Sequence, residues 1–476
     1  MIPLGLAEIA QIVGGRFVTT EVADVQIDGS VQTDSRLVVP GSIFFALPGE
    51  VTDGALFAEA AVAAGAAVVV AERELALDVP VIVVPDGVTA LAALATEVVA
   101  RVRSAGPLSV VAITGSNGKT TTKNLLRAIL SAQAPTVAPQ GSFNNHVGAP
   151  ISMLGIDYDT RYLVVEMGAS GAGEIARLVA IAKPDIGIVL KVGLAHVGEF
   201  GGIDAVQRAK SEMVTDLGSA SVAILNADDD RVAAMAALTP ASVRWFGLSE
   251  AADVRAEDIE ATATGTAFTL VVADTRLPVR LRILGEHHVL NALAALSAAH
   301  ELGIDPAEAI TAIEAVARAE RWRMELLLPA SGAIVINDAY NASPDSMAAA
   351  LKTLAQVRGE NDRTIAVLGE MAELGEYSDE EHDRIGRLVV RLNIRKLIVV
   401  GHLARHIHNA AGLEGSWDGE SVFVSTPDEA YDLLREDLGT GDIVLVKSSK
   451  TANLRFLGDR LGGLTPDGPT LNGVPT

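Results

Sequence analysis

Hydrophobic residues along this chain come in short, dense runs bounded by Gly, Pro or polar residues. Most runs are followed by a stretch whose apolar positions recur at helical spacing. The early runs are "SIFFAL", "AAVVVA" and "VPVIVV", with the Ala-rich helix candidate "GALFAEAAVAAG" among them, and this series ends at Gly106-Pro107. From residue 108, "LSVVAI", "RYLVVEM", "DIGIVLKV" and "SVAILN" alternate with helical stretches and close with the helix "HVLNALAALSAAHELG". Beyond residue 319 the pattern restarts with "GAIVIND", "RTIAVLG", "RKLIVVG", "SVFVS" and "DIVLVKSS". Runs this apolar fit buried strands, and their alternation with helices predicts parallel sheets. The chain therefore reads as α/β in three parts: a small N-terminal α/β domain at 1–107, a central parallel-sheet domain at 108–318, and a C-terminal Rossmann-like α/β domain at 319–476. No short internal repeat is visible, and the tail "LTPDGPTLNGVPT" is expected to be disordered.

Composition narrows this picture. With 476 residues and 49% hydrophobic content the chain can bury several cores. No run approaches the ~18 apolar residues of a membrane span, and "MIPLGLAEIAQIVGG" has no basic segment before its apolar stretch. No membrane insertion is expected, and a cytoplasmic location is the default expectation. The absence of cysteine excludes disulfides and thiolate chemistry. A net charge of −23 argues against a general nucleic-acid binder, so an anionic ligand needs a local cationic site.

"VVAITGSNGKTTTK" (110–123) supplies such a site. A buried strand runs into a turn holding Gly115 and Gly118, and a helix follows; this arrangement aims backbone N–H groups at an anion. Lys119 and Thr120 stand where a phosphate cation and a Mg²⁺-binding hydroxyl belong. The common pattern G-x-x-x-x-G-K-[ST] has a glycine where this chain has Ile113, so the loop is a shortened variant.

Other signals are weighed against this loop. Glu166 ends the strand "YLVVEMG" at the carboxyl edge of the expected sheet, where a carboxylate can hold Mg²⁺. His196 follows another strand end and reads by itself as a loop residue, and Lys210 on its amphipathic helix reads as a surface lysine. "GASGAG" (168–173) is G-x-x-G-x-G and makes a poor dinucleotide fingerprint. The pair His287-His288 and the trio His402, His406 and His408 lack metal-ligand spacing and read as solvated side chains. "NNHVGAP" (144–150) is a polar loop of either ordinary or binding type. "INDAYNASPDSM" (336–347) ends a strand with Asp338 and enters a helix with Ser343 at the cap and Pro344 at its first position, which favours a site over a plain turn.

In this order the pieces resemble the Mur ligases, ATP-dependent amide-forming enzymes of peptidoglycan synthesis. "TGSNGKTTT" is similar to that family's shortened phosphate loop, and "TDSRLVVPGSIFFALPGEVTDG" (33–54), with Ser35 and Arg36, resembles its uridine-nucleotide-sugar domain. "NNHVGAP", with Asn144 and Asn145, resembles its Asn-Asn-x-x-Gly-x-Pro loop, and "GEHHVLNALAAL" the helix whose Asn, here Asn291, approaches adenine. "RMEL" with "INDAYNASPDSM" resembles the pair Arg323 and Asp338 of its third domain.

The resemblance implies ATP held by Gly115, Ser116, Asn117, Gly118, Lys119, Thr120 and Thr121 together with Asn291, Arg323 and Asp338. It also implies two Mg²⁺ ions on Thr120, Glu166, His196 and a carbamylated Lys210. Within the family, "NDAYNASPDSM" and "VLGEMAELGEYSDEEH" (367–382) are similar to the member that joins D-Ala-D-Ala to UDP-MurNAc-tripeptide, with Tyr340, Asn341 and Ser343 near the dipeptide. The implied catalytic set is Lys119, Lys210, His196, Arg323 and Asp338, in a monomer. The chain departs from the family pattern in three places: "DGALF" lacks the His of "DGHDF"-like stretches, "KSSK" (447–450) has Lys450 where an arginine is usual, and "AERWRMEL" leaves both Arg321 and Arg323 open for the nucleotide contact. A P-loop hydrolase and a catalytically silent homologue are the alternatives. The hydrolase turns over ATP alone, whereas the ligase needs both other substrates.

Overall fold

The computed structural model describes residues 1–18, 25–49, 52–139, 141–195, 197–262, 264–318, 320–414 and 417–464. His196 and the tail after Leu464 lie outside the described residues. Three large sheets follow one another along the chain, and the α/β class expected from the hydrophobic runs is what forms.

The first sheet has five strands, of which Ile43–Ala46, Val68–Ala71 and Val81–Val83 run parallel. Alternation divides their side chains between two faces, so that Phe45 enters one core and Phe44 another. The helix Gly87–Ala105, which the hydrophobic runs did not single out, is capped by Asp86 accepting from the Thr89 amide. It buries Leu91, Leu94, Val98 and Val102 in the same core as Val110 and Leu163, which fuses the first sheet to the second.

The second sheet has nine strands. Within its parallel part lies β1 (Ser109–Thr114), flanked in parallel by β2 (Tyr162–Glu166) and β3 (Ile186–Val189). Val110 and Ala112 pack on one face and Val111 and Ile113 on the other, as a doubly covered strand requires. The chain passes from β1 to β2 on one side and then to β3 on the other, so the connections diverge at the carboxyl end of β1. Ligands of open α/β sheets bind at such a crevice. Helix α1 (Lys119–Ser131) leaves from that end, with Leu125, Leu126, Ile129 and Leu130 buried. Helices α2 (Ile203–Thr215) and α3 (His287–Glu301) cover the sheet further along.

The sheet also runs beyond the expected parallel strands. Val254–Thr262, Gly265–Val272 and Thr275–Leu281 add an antiparallel extension, whose apolar positions alternate with polar ones because only one face is covered.

The third sheet has six strands and contains all five runs expected beyond residue 319, together with the antiparallel edge strand Glu325–Leu327. Strand β4 (Ile334–Asn337) pairs in parallel with β5 (Asp442–Lys447). Helix α4 (Pro344–Gln356) follows β4 and has the expected Ser343 cap and leading proline. No helix among the described residues is long and apolar enough to cross a membrane.

Candidate active site

The loop after β1 is shaped by its two glycines. Gly115 has φ +149° and Gly118 φ +88°, and a Cβ on Gly118 would lie 2.2 Å from Asn291 Oδ1. The close packing of this loop against α3 therefore needs glycine at 118 for both conformation and space. The side chain of Asn291 is fixed in turn by His288, whose Nδ1 lies 3.0 Å from Asn291 Nδ2. His288 is buried, contrary to the solvated side chain expected of it, and desolvation holds its pKa well below the usual histidine value. His287 is half-buried and lowered to about 4 by desolvation. His402 and His406 are exposed as expected, and the half-buried His408 lies 2.6 Å from Ser421 Oγ.

Lys119 starts α1, and its ammonium donates to the Gly115 carbonyl at 2.7 Å. Desolvation lowers its pKa, opposed by the Glu166 charge. Thr120 is buried and its Oγ1 lies 3.1 Å from Glu166 Oε2. Glu166, only 1% exposed at the end of β2, also accepts from Asn144 Nδ2 at 2.8 Å. Asn145 Oδ1 accepts from the Gly148 amide at 2.8 Å and turns the same loop into its short helix. Ser116 Oγ pairs with the Gly193 amide at 2.9 Å, tying the loop to the segment after β3, and Thr121 is buried behind it.

The third sheet reaches this loop directly. Ser343 Oγ donates to Asn117 Oδ1 at 3.2 Å, and Asp345 accepts from the Leu194 amide at 3.3 Å with Lys191 Nζ 3.4 Å away. Arg323 Nη2 donates to Ser142 Oγ at 3.1 Å, and its guanidinium lies 4.3 Å from the Tyr340 ring centroid. Of the two arginines left open, Arg321 instead pairs with Asp459 at 2.7 Å, away from the loop. Trp322 and Met324, on either side of Arg323, have φ +57° and +48°, a conformation that bulky residues rarely adopt. The Met324 amide donates to Asp338 Oδ1 at 3.0 Å and the Trp322 indole to Asp459 at 2.9 Å, which holds the strained turn. Asn341 is exposed.

Two buried side chains, Lys123 and Lys447, and the half-buried Ser142 carry weight that the sequence did not give them. Lys123, one turn after Lys119, donates to the Gly141 carbonyl at 2.7 Å, and desolvation lowers its pKa to about 8. Ser142 lies between Arg323 and Thr120. Lys447 is paired with Asp338 at 2.6 Å and also donates to the Asn341 carbonyl at 3.1 Å, so it shapes the loop after β4. Spacing of four residues from Lys119 was the available signal for Lys123, and a strand-end position the signal for Lys447; nothing in the sequence distinguished Ser142.

Lys210 departs from its expected surface placement. It is 3% exposed on the apolar side of α2, with Val206, Ala209, Met213 and Val214. Among the described residues no hydrogen bond or ion pair holds its ammonium, which lies 5.8 Å from the Phe200 ring centroid. Desolvation, aided by Lys119, brings its pKa down to about 7. Ser35 and Arg36 lie in the short 3-10 turn Ser35–Leu37 that follows the first-sheet strand Val31–Gln32, where Arg36 is exposed and paired with Asp34 at 2.6 Å.

The donor set around the loop suits a polyanion with a hard cation. Among the described residues, Asn117 Nδ2, His288 Nε2 and Arg323 Nε are buried without partners, and N–H groups of this kind gain most from an anionic acceptor. Thr120 and Glu166 offer oxygen atoms, which Mg²⁺ selects. Among the described residues no three His, Cys, Asp or Glu side chains cluster to hold a metal by themselves. A site shared with phosphate oxygens needs no such cluster.

Comparison with known proteins adds the following. Residues 29–104 match the Mur ligase family, catalytic domain; residues 113–299 match the Mur ligase middle domain; residues 322–450 match the Mur ligase, glutamate ligase domain. A UDP-N-acetylmuramoyl-tripeptide--D-alanyl-D-alanine ligase of Mycobacterium bovis is 43% identical over 97% of this chain and 98% of the relative. The Escherichia coli protein of that name is 34% identical over 87% of this chain and 89% of its own. Among solved structures, MurF from Acinetobacter baumannii superposes with a TM-score of 0.86 at 33% identity, covering 97% of this chain and 99% of that one. MurF from Thermotoga maritima in complex with ADP gives 0.79 at 26% identity, covering 92% of this chain and 98% of that one.

Two outcomes follow from this geometry. Gly118→Ala and Gly141→Ala both force a non-glycine residue into positive φ, which costs about 1 kcal/mol, but only at 118 does the added methyl meet Asn291. Gly118→Ala should therefore lower the thermal midpoint further than Gly141→Ala, and equal losses would show that packing on α3 is unimportant.

The second outcome concerns Lys210, whose folded pKa of about 7 lies below its ordinary 10.5. The unfolded chain thus binds more protons between these values, and the destabilisation is fully present below pH 7 and fades toward 10.5. In CO₂-free buffer Lys210→Met should be more stable than the wild type at pH 6, with the advantage shrinking as pH rises. A pH-independent difference in midpoint would contradict the buried, neutral amine.

Proposed function

We propose, because this chain belongs to the Mur ligase family, that it joins D-alanyl-D-alanine to UDP-N-acetylmuramoyl-tripeptide with ATP, giving ADP, phosphate and the pentapeptide product. The observation that carries this reading is the meeting of two sheets on one phosphate loop. Asn117 and Thr120 from the second sheet are linked to Ser343 and, through Ser142, to Arg323 of the third. A hydrolase needs only the loop, whereas a ligase must bring an amine from a separate domain to an activated carboxylate.

In the reaction the tripeptide carboxylate attacks the γ-phosphorus of ATP, ADP leaves, and an acyl phosphate forms. The dipeptide amine then attacks the acyl carbon, and the tetrahedral species collapses with loss of phosphate and a proton. Lys119 and the loop amides hold the phosphates, with Asn291 toward the adenine side and Arg323 and Asp338 at the nucleotide from the third sheet. Positioning and charge stabilisation supply the rate, since no protein nucleophile takes part. Thr120 and Glu166, with His196, would hold Mg²⁺, which supplies neutralisation of phosphate charge when bound.

Ser35 and Arg36, in the turn after Val31–Gln32, face the uridine nucleotide sugar, Asn144 and Asn145 its peptide arm, and Tyr340, Asn341 and Ser343 the dipeptide. This division assigns residues 1–107, 108–318 and 319–476 to the three substrates. One chain carries every group named, which supports a monomer, and the charged substrates support a cytoplasmic reaction.

Lys210 acts as a carbamate. Its neutral amine attacks the carbon of CO₂, forming an N–C bond while one C=O electron pair moves to oxygen and an N–H proton leaves to solvent. Burial favours this by leaving much of the amine unprotonated near neutrality, and the product is an oxygen anion of the kind that hard cations select.

Phosphate release should require UDP-MurNAc-tripeptide and rise on addition of D-Ala-D-Ala. Lys119→Ala should keep the fold and lose at least ~3 kcal/mol of transition-state stabilisation; release from ATP alone would instead identify a hydrolase. Lys210→Ala should be nearly inactive and regain part of its rate with acetate, while Lys210→Arg should fail as badly as Ala. Full activity of Lys210→Arg would rule the carbamate out.

A further inference from the structure

Arg323 Nη2, Ser142 Oγ, Thr120 Oγ1 and the Glu166 carboxylate form one unbroken hydrogen-bonded series, with steps of 3.1, 3.2 and 3.1 Å. Its direction is fixed by chemistry. A guanidinium can only donate, a carboxylate can only accept, and each hydroxyl has one hydrogen to give. Arg323 therefore donates to Ser142, Ser142 to Thr120, and Thr120 to Glu166. Withdrawing Arg323 would release Ser142 to rotate and leave Thr120 without its incoming donor.

Both ends of this series are held by other interactions. Left-handed backbone at Trp322 and Met324 sets the turn that carries Arg323, and the Tyr340 ring lies against its guanidinium. On the other side, Lys123 holds the Gly141 carbonyl next to Ser142, and Asn144, two residues further on, bonds Glu166. Among the described residues, Ser142 is thus the side chain whose hydrogen bonds link Arg323 to the Thr120–Glu166 pair. We infer that Ser142 is a positioning residue that couples the docking of the third sheet to the arrangement of Thr120 and Glu166, so that the phosphate loop is set for chemistry only when Arg323 is seated. The inference about the cation rests on the reading of Thr120 and Glu166 as the Mg²⁺ pair; the coupling itself does not.

Hydrogen–deuterium exchange on the full chain without nucleotide tests the coupling. Ser142→Ala should speed exchange across the interface, in the segment 320–327, by at least fivefold, and Arg323→Ala should do the same in 141–147. The double variant should be no faster than either single one, because both remove one series. Ser142→Thr, which keeps the hydroxyl, should exchange like the wild type, and unchanged protection of Lys396–Val400 verifies the fold. Effects confined to the substituted segment, or additive in the double variant, would overturn the inference. In turnover, Ser142→Ala should raise the Mg²⁺ concentration for half-maximal rate about tenfold while the dipeptide KM stays within twofold. If exchange shows the coupling and the Mg²⁺ requirement does not move, the assignment of the metal pair fails and the coupling stands.

Discussion

A carboxylate buried at the end of β2 is the constraint on which the site depends. Removing an ionised group from water costs several kcal/mol unless hydrogen bonds and opposite charges offset it. Glu166 is only 1% exposed, and what offsets its burial is the site itself: the Thr120 hydroxyl, the Asn144 amide, and the charges of Lys119 and Lys123. The phosphate loop, the first turn of α1 and the polar loop at 141–145 are thus drawn to one point by a shared need. Each would be an ordinary connection if β2 ended in an apolar residue.

Topology decides why that point is also accessible. The carboxyl ends of β1, β2 and β3 open where the connections diverge, and those of β4 and β5 carry Asp338 and Lys447. Asp338 and Lys447 satisfy one another, and Lys447 also holds the backbone at Asn341, so the loop that follows β4 is tied to the end of β5 before it reaches the second sheet. Ser343 then serves two ends at once. It caps α4 and bonds Asn117, so the start of a helix is also the contact with the phosphate loop.

Much of this was legible in the chain, and for physical reasons. Strands buried on both faces leave dense apolar runs, so β1, β2, β3, β4, β5 and the strands Arg363–Leu368 and Lys396–Val400 stand out, and the Ser343-Pro344 cap declares its helix. Strands Val254–Thr262 to Thr275–Leu281 were missed because one exposed face dilutes their hydrophobicity with Arg, Glu and Thr. The fold class and the phosphate loop were therefore readable, whereas Ser142 was not, since a lone serine gains meaning only from a partner 181 residues away. Lys210 was readable in principle: it lies four residues after Val206 and three before Met213, on the apolar stripe rather than opposite it. A lysine's usual place at the surface competes with that periodicity. His288 is a similar case, since its neighbours Val289 and Ala292 are core residues of α3.

The distribution of charge gives the last step. The chain carries a net −23, yet the neighbourhood of the phosphate loop sets Lys119, Lys123, Lys210 and Arg323 against Glu166. These cations lower one another's proton affinity: Arg323 acts on Lys119 and Lys123, and Lys119 acts on Lys210. A buried group of like charges is stable only if some members lose their protons or if anions join them. Lys119 and Arg323 can be satisfied by phosphate oxygens, and the acidic remainder of the surface repels competing anions that lack a specific fit. Lys210 stands apart, because it lies on α2 among apolar side chains and has no ion pair among the described residues. Deprotonation already removes part of its charge near neutrality, and addition of CO₂ would carry the same tendency further, from neutral amine to anion. The Lys119 charge that makes an ammonium costly at Lys210 would favour an oxygen anion there, and would offset part of the cost of burying it.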